Sequence, residues 1–360
     1  MKRFSFLRAG AIALAATIFL SLAFTGSADA AEKKSFKLVW GLYTGYAPWA
    51  WAEKAGIMDK WAAKYGIEVE IVALNDYIET LNQFTAGQYD AVATTVMDTL
   101  TIPAAGGVDT TAIILGDYTN GNDAIFVKGE GKTMADLKGK KVYLVQYSVS
   151  HYMLALALER AGMSEADIET ANIADADFVA AFSTPAVEAV VTWNPATTQL
   201  NQMKGVTSVF DSSQVPGEVQ DILVVNTEVL KANPEFGKAL AGAWYETLAV
   251  MRKDDAEGIA AREYMAGVLG TDLADFDGQV KTTYFYDAAE GAAVFGGPIM
   301  PGMIGSTTGF AFGHGLLGPD AKDKGHVGVA LADGTIIGNG DNVKFRLDTS
   351  YMEAAASGEM

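Results

Sequence analysis

The sequence predicts an α/β protein of two lobes around a cleft. Three observations carry this. Short runs rich in β-branched and aromatic residues alternate with helical patterns through the first two thirds of the 360 residues, which reads as βαβ units and mostly parallel sheets flanked by helices. The segments "GDYTNGNDAIFVK" and "EVQDILVVN" (218–226) look like places where the chain leaves one lobe and returns. About 330 residues after a leader suffice for two ordinary cores.

Residues 1–30 carry Lys2, Arg3 and Arg8, then an apolar run, then Ala28-Asp29-Ala30. This is the layout of a cleaved secretory signal peptide. No later stretch reaches the roughly 18 apolar residues that span a bilayer, so the mature chain is expected to be exported and soluble from near Ala31, without membrane insertion. With no cysteine, no disulfide framework, thiolate nucleophile, lipid-attachment Cys or thiolate metal site is available, and a Gram-negative periplasm is the expected compartment. There are 44 acidic and 26 basic residues, net −18, and losing the leader deepens this to about −20. That balance argues against nucleic acid and anionic membranes as partners.

Strands are predicted at 36–43, 67–74, 90–96, 111–118, 124–128, 140–147, 169–174 and 186–193. Between them "WAWAEKAGIMDKWAAKYG", "DYIETLNQFTAG", "SHYMLALALERAG" and "DADFVAAFST" read as helices. Lobe I is assigned to 31–123 and 221–360, and lobe II to 124–220. Beyond Thr227 a long helix is expected. The tail after Gly296 is Gly- and Met-rich and ends in a small hairpin, "VGVALADGTIIGNGDNVKFRL".

"GHGLLG" (313–318) matches a dinucleotide fingerprint literally, but Pro319 follows and no strand-to-helix context surrounds it. There is no Walker A run and no nucleophile elbow. The three histidines, His151, His314 and His326, show no metal-ligand spacing. No catalytic residue, metal or cofactor is therefore assigned, and the chain is read as a binding protein rather than an enzyme.

The opening strand with its aromatic loop and "AEKAGI", then "FTAGQYDAVATT", "MADLKGKKV" and "AVEAVVTWNPATTQL", together resemble the periplasmic solute-binding proteins of nitrate, sulfonate and taurine ABC importers. These share a fold with the thiamine-precursor-binding proteins. The resemblance spans about residues 36–260 and implies a type II periplasmic binding protein working as a monomer with an ABC permease and its ATPase. "LGDYTNGNDAIFVK", "VTWNPATTQL" and the Gly-rich tail are similar to the branch found with urea carboxylase genes, for which guanidinium is the implied nitrogen source. A pyrimidine synthase shares the fold but needs a cysteine-rich motif. A sensor binding the same solute is the other rival class.

Ligands of open α/β sheets sit at the carboxyl ends of strands. The loops placed there, 43–51, 75–79, 94–99, 117–123, 146–152, 192–199 and 217–221, contain no Lys or Arg but hold Asp76, Glu79, Asp98, Asp117, Asp123, Glu218 and Asp221. Oxyanions such as nitrate or sulfonate are normally met by Arg forks or Lys charges. Aromatic faces and unpaired carboxylates suit instead a flat cation, guanidinium, stacking on a ring and paired with an acid. Urea, its neutral isostere, would need amides such as Asn75, Asn122, Asn194 or Gln146.

The candidate ligand contacts are Tyr43, Tyr46 and Trp49 in "YTGYAPWAWAEKAGI"; Asp76; Thr95 and Asp98, where the family resemblance places ligand contacts; Asp123; Ser148 and His151 at a helix start; Trp193 and Asn194 after a strand; and Asp221 at the return crossing. Structural readings stand beside several of them. Asp76 also suits a helix cap, Asp123 a turn, His151 a satisfied helix start and Trp193 a plug at a strand end.

Overall fold

The structure, a computed structural model, describes residues 33–360; the leader expected at 1–30 lies outside them. Strands β1 (Ser35–Gly41), β2 (Glu68–Leu74), β3 (Ala91–Thr95) and β4 (Thr110–Thr119) begin a first sheet. The chain then builds a second from β5 (Asp123–Lys128), β6 (Lys141–Leu144), β7 (Glu169–Asn172), β8 (Ala189–Trp193) and β9 (Val206–Asp211). It returns to the first with β10 (Gln220–Asn226), β11 (Thr283–Phe285), β12 (Gly328–Ala330), β13 (Ile336–Ile337) and β14 (Val343–Leu347). The first sheet runs β13-β12-β14-β4-β10-β3-β1-β2 with β11 beside β4, and the second runs β7-β6-β8-β5-β9.

Strand direction follows from the two passages between sheets. β1 pairs in parallel with β2 and β3, and β6 with β7 and β8, as helical crossovers require. A strand arriving directly from the other sheet enters from the opposite end. Hence β10 is antiparallel to β3 and β4, and β5 is antiparallel to β8 and β9. The consequence for function is that β3, β4 and β8 end, and β5 and β10 begin, on the same side.

The central strands bury both faces, so they read as near-continuous apolar runs, for example "TAIIL" (111–115). Helix Pro234–Met251, opened by a pre-organised proline, buries Phe236, Leu240, Trp244 and Leu248, and Phe36 stacks on Phe236 at 4.4 Å. Two expectations need correction. The helix predicted across Gly56 is two, Pro48–Lys54 and Ile57–Lys64, because Gly56 takes a left-handed φ of 67°. The Gly-rich tail contains a helix, Ile299–Gly313. Its glycines lower intrinsic propensity, but packing of Met300, Met303, Ile304 and Ala311 overrides that. The tail's hairpin forms from β12 and β13, and β14 joins it to β4.

Candidate functional site

The strand ends converge on a cavity of ≈ 30 Å³. On this measure one water needs roughly 10–15 Å³, so the space suits a solute of few heavy atoms. Tyr43 and Tyr46 enter from the loop after β1, Tyr77 from the first turn of helix Tyr77–Thr85, Trp193 from the last residue of β8, and Asp123 and Asp221 from the first two residues of β5 and β10. Thr95, Thr119, Val149 and Val219 complete much of the lining.

The rings form a partial box. Tyr43 meets Tyr46 edge-on at 4.9 Å, and Tyr77 meets Trp193 edge-on at 5.8 Å, while Phe178 braces Trp193 from behind at 5.4 Å. Gly45 lets the Tyr43 ring and Asp117 pack against the backbone. A Cβ there would lie 2.3 Å from the Tyr43 ring and 2.5 Å from a carboxylate oxygen of Asp117. We expect Gly45→Ala to cost about 1–3 kcal/mol of stability through overpacking, read as a lower denaturation midpoint, with solute binding weakened in parallel.

Four aspartates crowd around this space. Asp117 faces Asp221 directly across the β4–β10 pair, and Asp123 faces Trp193 across β5–β8. The Tyr46 hydroxyl donates to Asp221 Oδ1 at 2.5 Å. Tyr43 accepts from Asn122 at 3.0 Å and approaches Asp117 Oδ1 at 3.5 Å. Asp98, one shell out, accepts from Tyr77 at 2.8 Å and from Thr95 at 2.9 Å. Oδ2 of Asp117, Asp123 and Asp221 is buried with no N–H donor, Asp98 is approached by the Val149 amide, and Asp117 and Asp221 hydrogen-bond each other when one carries a proton. Among the described residues, no Lys, Arg or His lines this cavity or the water-sized space of ≈ 10 Å³ behind Tyr46.

Such uncompensated burial is costly for a charge, and the acids respond by holding protons. Burial raises Asp98 to about 6, Asp117 to about 7 and Asp123 to about 8. Burial and then the facing charge of Asp117 hold Asp221 well above the ordinary carboxylate range.

Of the residues singled out from sequence, Tyr43, Tyr46, Thr95, Asp123, Trp193 and Asp221 line the cavity, and Asp98 is joined to it through Tyr77 and Thr95. The others are elsewhere. Trp49 is buried against Trp244 at 5.1 Å, behind Tyr46. Asp76 caps its helix, accepting from the Glu79 amide at 3.0 Å. Ser148 caps helix Val149–Arg160. Asn194 holds the amide and hydroxyl of Thr198 at 2.9 and 2.7 Å and bonds Asn122. His151 turns to Glu165 at 2.6 Å. Tyr77, Thr119 and Asp117 were not among the candidate contacts. The signal for Asp117 was an acid inside an otherwise apolar central strand, "AIILGDY".

A small enclosed site at the strand ends of two α/β sheets joined by two direct crossings defines the periplasmic-binding-protein fold. Solved structures agree. The alkanesulfonate-binding protein SsuA from Xanthomonas axonopodis pv. citri bound to MOPS matches with a TM-score of 0.68 at 18% identity, over 80% of this chain and 96% of that one. The periplasmic nitrate-binding protein NrtA from Synechocystis PCC 6803 matches at 0.62 and 18%, over 91% and 89%. The chain belongs to the family described as NMT1/THI5 like, which matches residues 58–257. The taurine-binding periplasmic protein of Escherichia coli (strain K12) is 27% identical over 145 residues, 39% of this chain and 45% of that protein. The chain thus spans about half the length of the curated relatives it matches.

Proposed function

We propose that this chain is the solute-binding component of an ABC importer and that its solute is a small planar cation, guanidinium. One observation carries the choice of cation: buried Asp123 and Asp221 line the cavity, with Asp117 facing Asp221 and Asp98 joined to it through Tyr77, and among the described residues no basic side chain lines it. A guanidinium ion would supply the missing charge and donors at once, pairing with carboxylates while the tyrosine and Trp193 faces hold its plane.

The named relatives bind taurine, alkanesulfonate or nitrate. Those anions would meet acid here, and ≈ 30 Å³ is small for a sulfonate with an alkyl tail. Urea is disfavoured because three of the four candidate amides are spent elsewhere and the fourth, Asn75, lines a different pocket. Asn122 donates to Tyr43 and Thr283, Asn194 to Asn122, and Gln146 to Thr170.

The proposed action is capture without chemistry in the periplasm. Residues 31–123 with 221–360 act as one lobe and residues 124–220 as the other; closure is driven by contacts the ligand makes only in the closed state. The closed form delivers the solute to a permease and its ATPase. Among the described residues, no helix is long and apolar enough to cross a membrane.

A thermal-shift panel of guanidinium, methylguanidine, urea, nitrate and taurine tests the assignment, since a tight ligand raises the midpoint by mass action. Guanidinium is expected to give the largest rise; a larger rise with nitrate or taurine refutes the cation. Trp193→Ala is expected to weaken guanidinium binding about tenfold and Trp193→Phe less, in proportion to the lost cation–π attraction of roughly 0.5–2 kcal/mol; calorimetry reads both.

A further inference from the structure

Outside the cavity described above, the side chains of His151 and Glu165 meet that of His314, about 150 residues further along the chain. His151 sits in the first turn of helix Val149–Arg160, Glu165 opens a short turn of helix, Glu165–Asp167, and His314 follows the tail helix Ile299–Gly313. The two carboxylate oxygens of Glu165 are shared between the rings: Oε1 is 2.6 Å from His151 Nε2, and Oε2 is 2.8 Å from His314 Nε2. The three ligand atoms lie within 4.8 Å of one another.

Hydrogen-bond chemistry shows that something cationic belongs between His314 and Glu165. His314 Nδ1 lies 2.9 Å from the Phe310 carbonyl, which only accepts, so Nδ1 carries the ring hydrogen. In the neutral imidazole Nε2 then has only its lone pair, and it points at a carboxylate oxygen that also only accepts. Two acceptors at this separation repel unless a proton or a metal ion joins them. A histidine whose Nδ1–H is fixed on a backbone carbonyl, leaving Nε2 free, is also the arrangement that orients a metal ligand.

We propose that His151, Glu165 and His314 form a divalent transition-metal site of the zinc class. Two imidazoles and one carboxylate make the donor set of a three-ligand zinc centre with an open fourth position. Tetrahedral ligation at roughly 2.0–2.1 Å places ligand atoms about 3.3 Å apart, so the present contacts of 2.6 and 2.8 Å open by about 0.5–0.7 Å, and any wider separation within the 4.8 Å cluster closes. At His151, loading Nε2 moves the ring hydrogen to Nδ1, which now accepts from the Tyr147 amide at 3.2 Å. Loading therefore requires the amide of Tyr147, an exposed residue in the left-handed region at φ 66°, to turn away from His151 Nδ1. The metal ties the tail helix to the part of the chain that carries the second sheet, which gives the C-terminal extension a task independent of the solute cavity. Sequence spacing concealed the site because its ligands come from three separate segments.

The test is calorimetric titration of the full-length mature protein with Zn²⁺, repeated with Co²⁺ followed by visible absorption. One equivalent binding at micromolar affinity or tighter, with tetrahedral Co²⁺ bands, is expected. His314→Gln and Glu165→Gln should each weaken Zn²⁺ binding at least tenfold and abolish those bands. Circular dichroism melts show that the variants fold, and their guanidinium binding should stay within a factor of three of the parent. Absence of saturable Zn²⁺ binding by the parent protein, which would leave a proton as the bridging cation, overturns the proposal. So does undiminished binding in both variants. Because the readout is the metal alone, its failure is separable from failure of the guanidinium assignment.

Discussion

Replacing Asp221 by Asn lowers guanidinium affinity by about two to three orders of magnitude and leaves the unliganded protein at least as stable as before. Asp221 is 2% exposed, keeps Tyr46 as a donor on Oδ1, and has no N–H donor on Oδ2. Truncating one member of a buried, hydrogen-bonded charge pair costs about 2–5 kcal/mol. Asn retains an acceptor for the Tyr46 hydroxyl, so what is lost is the charge and the second oxygen. In the unliganded state burial and the facing Asp117 make Asp221 take up a proton on folding; Asn is neutral without one and escapes that cost, so the change is stabilising. Calorimetry and thermal melts at pH 8 read the two effects separately. A loss of affinity below about threefold would detach Asp221 from the ligand. A lower midpoint in the unliganded variant would assign the carboxylate a structural role instead.

The fold class was legible because it is written in two periodicities. Apolar runs such as "TAIIL" and helices such as "SHYMLALALERAG" announce their environment residue by residue. The tail helix was not, because Gly302, Gly305, Gly309 and Gly313 depress propensity and only tertiary contacts restore it. The candidate site divides similarly. Tyr43, Tyr46, Trp193, Asp123 and Asp221 sit beside strand ends, where the topology of open sheets directs attention, and all five line the cavity.

Trp49 sits only three residues beyond Tyr46, but the helix starting at Pro48 rotates it onto Trp244. Sequence alone shows an aromatic cluster, not which ring a helical turn carries away. Tyr77 is the converse case. It begins a helix, where a ring ordinarily packs on the core; its hydroxyl instead joins Asp98 and Thr94. That pairing depends on the distance between two segments that only the folded sheet defines. His151 was singled out for its helix start, but its partners Glu165 and His314 are set by tertiary approach.

Guanidinium affinity rises steeply between pH 6 and pH 8, and binding at neutral pH expels protons. Asp98, Asp117 and Asp123 are held at about 6, 7 and 8 by burial, against an ordinary 3.8, and burial and then the facing Asp117 hold Asp221 well above that ordinary value. A carboxyl raised on folding binds more protons in the native than in the unfolded chain. Its contribution to stability is therefore complete below about pH 4 and lost as pH climbs through 6 to 8. A cation in the cavity needs the ionised acids, so it competes with those protons. Each proton displaced makes affinity grow about tenfold per pH unit while the acid remains largely protonated. Titrations in buffers of different ionisation heat should therefore report about one to two protons released at pH 7. The melting rise produced by guanidinium should be larger at pH 8 than at pH 6, and Asp123→Asn should flatten both dependences. An anion would show the opposite sign, binding best when the acids are protonated and taking protons up, and a neutral solute would show little dependence. The direction of proton exchange consequently reports the charge of the ligand before its identity is known.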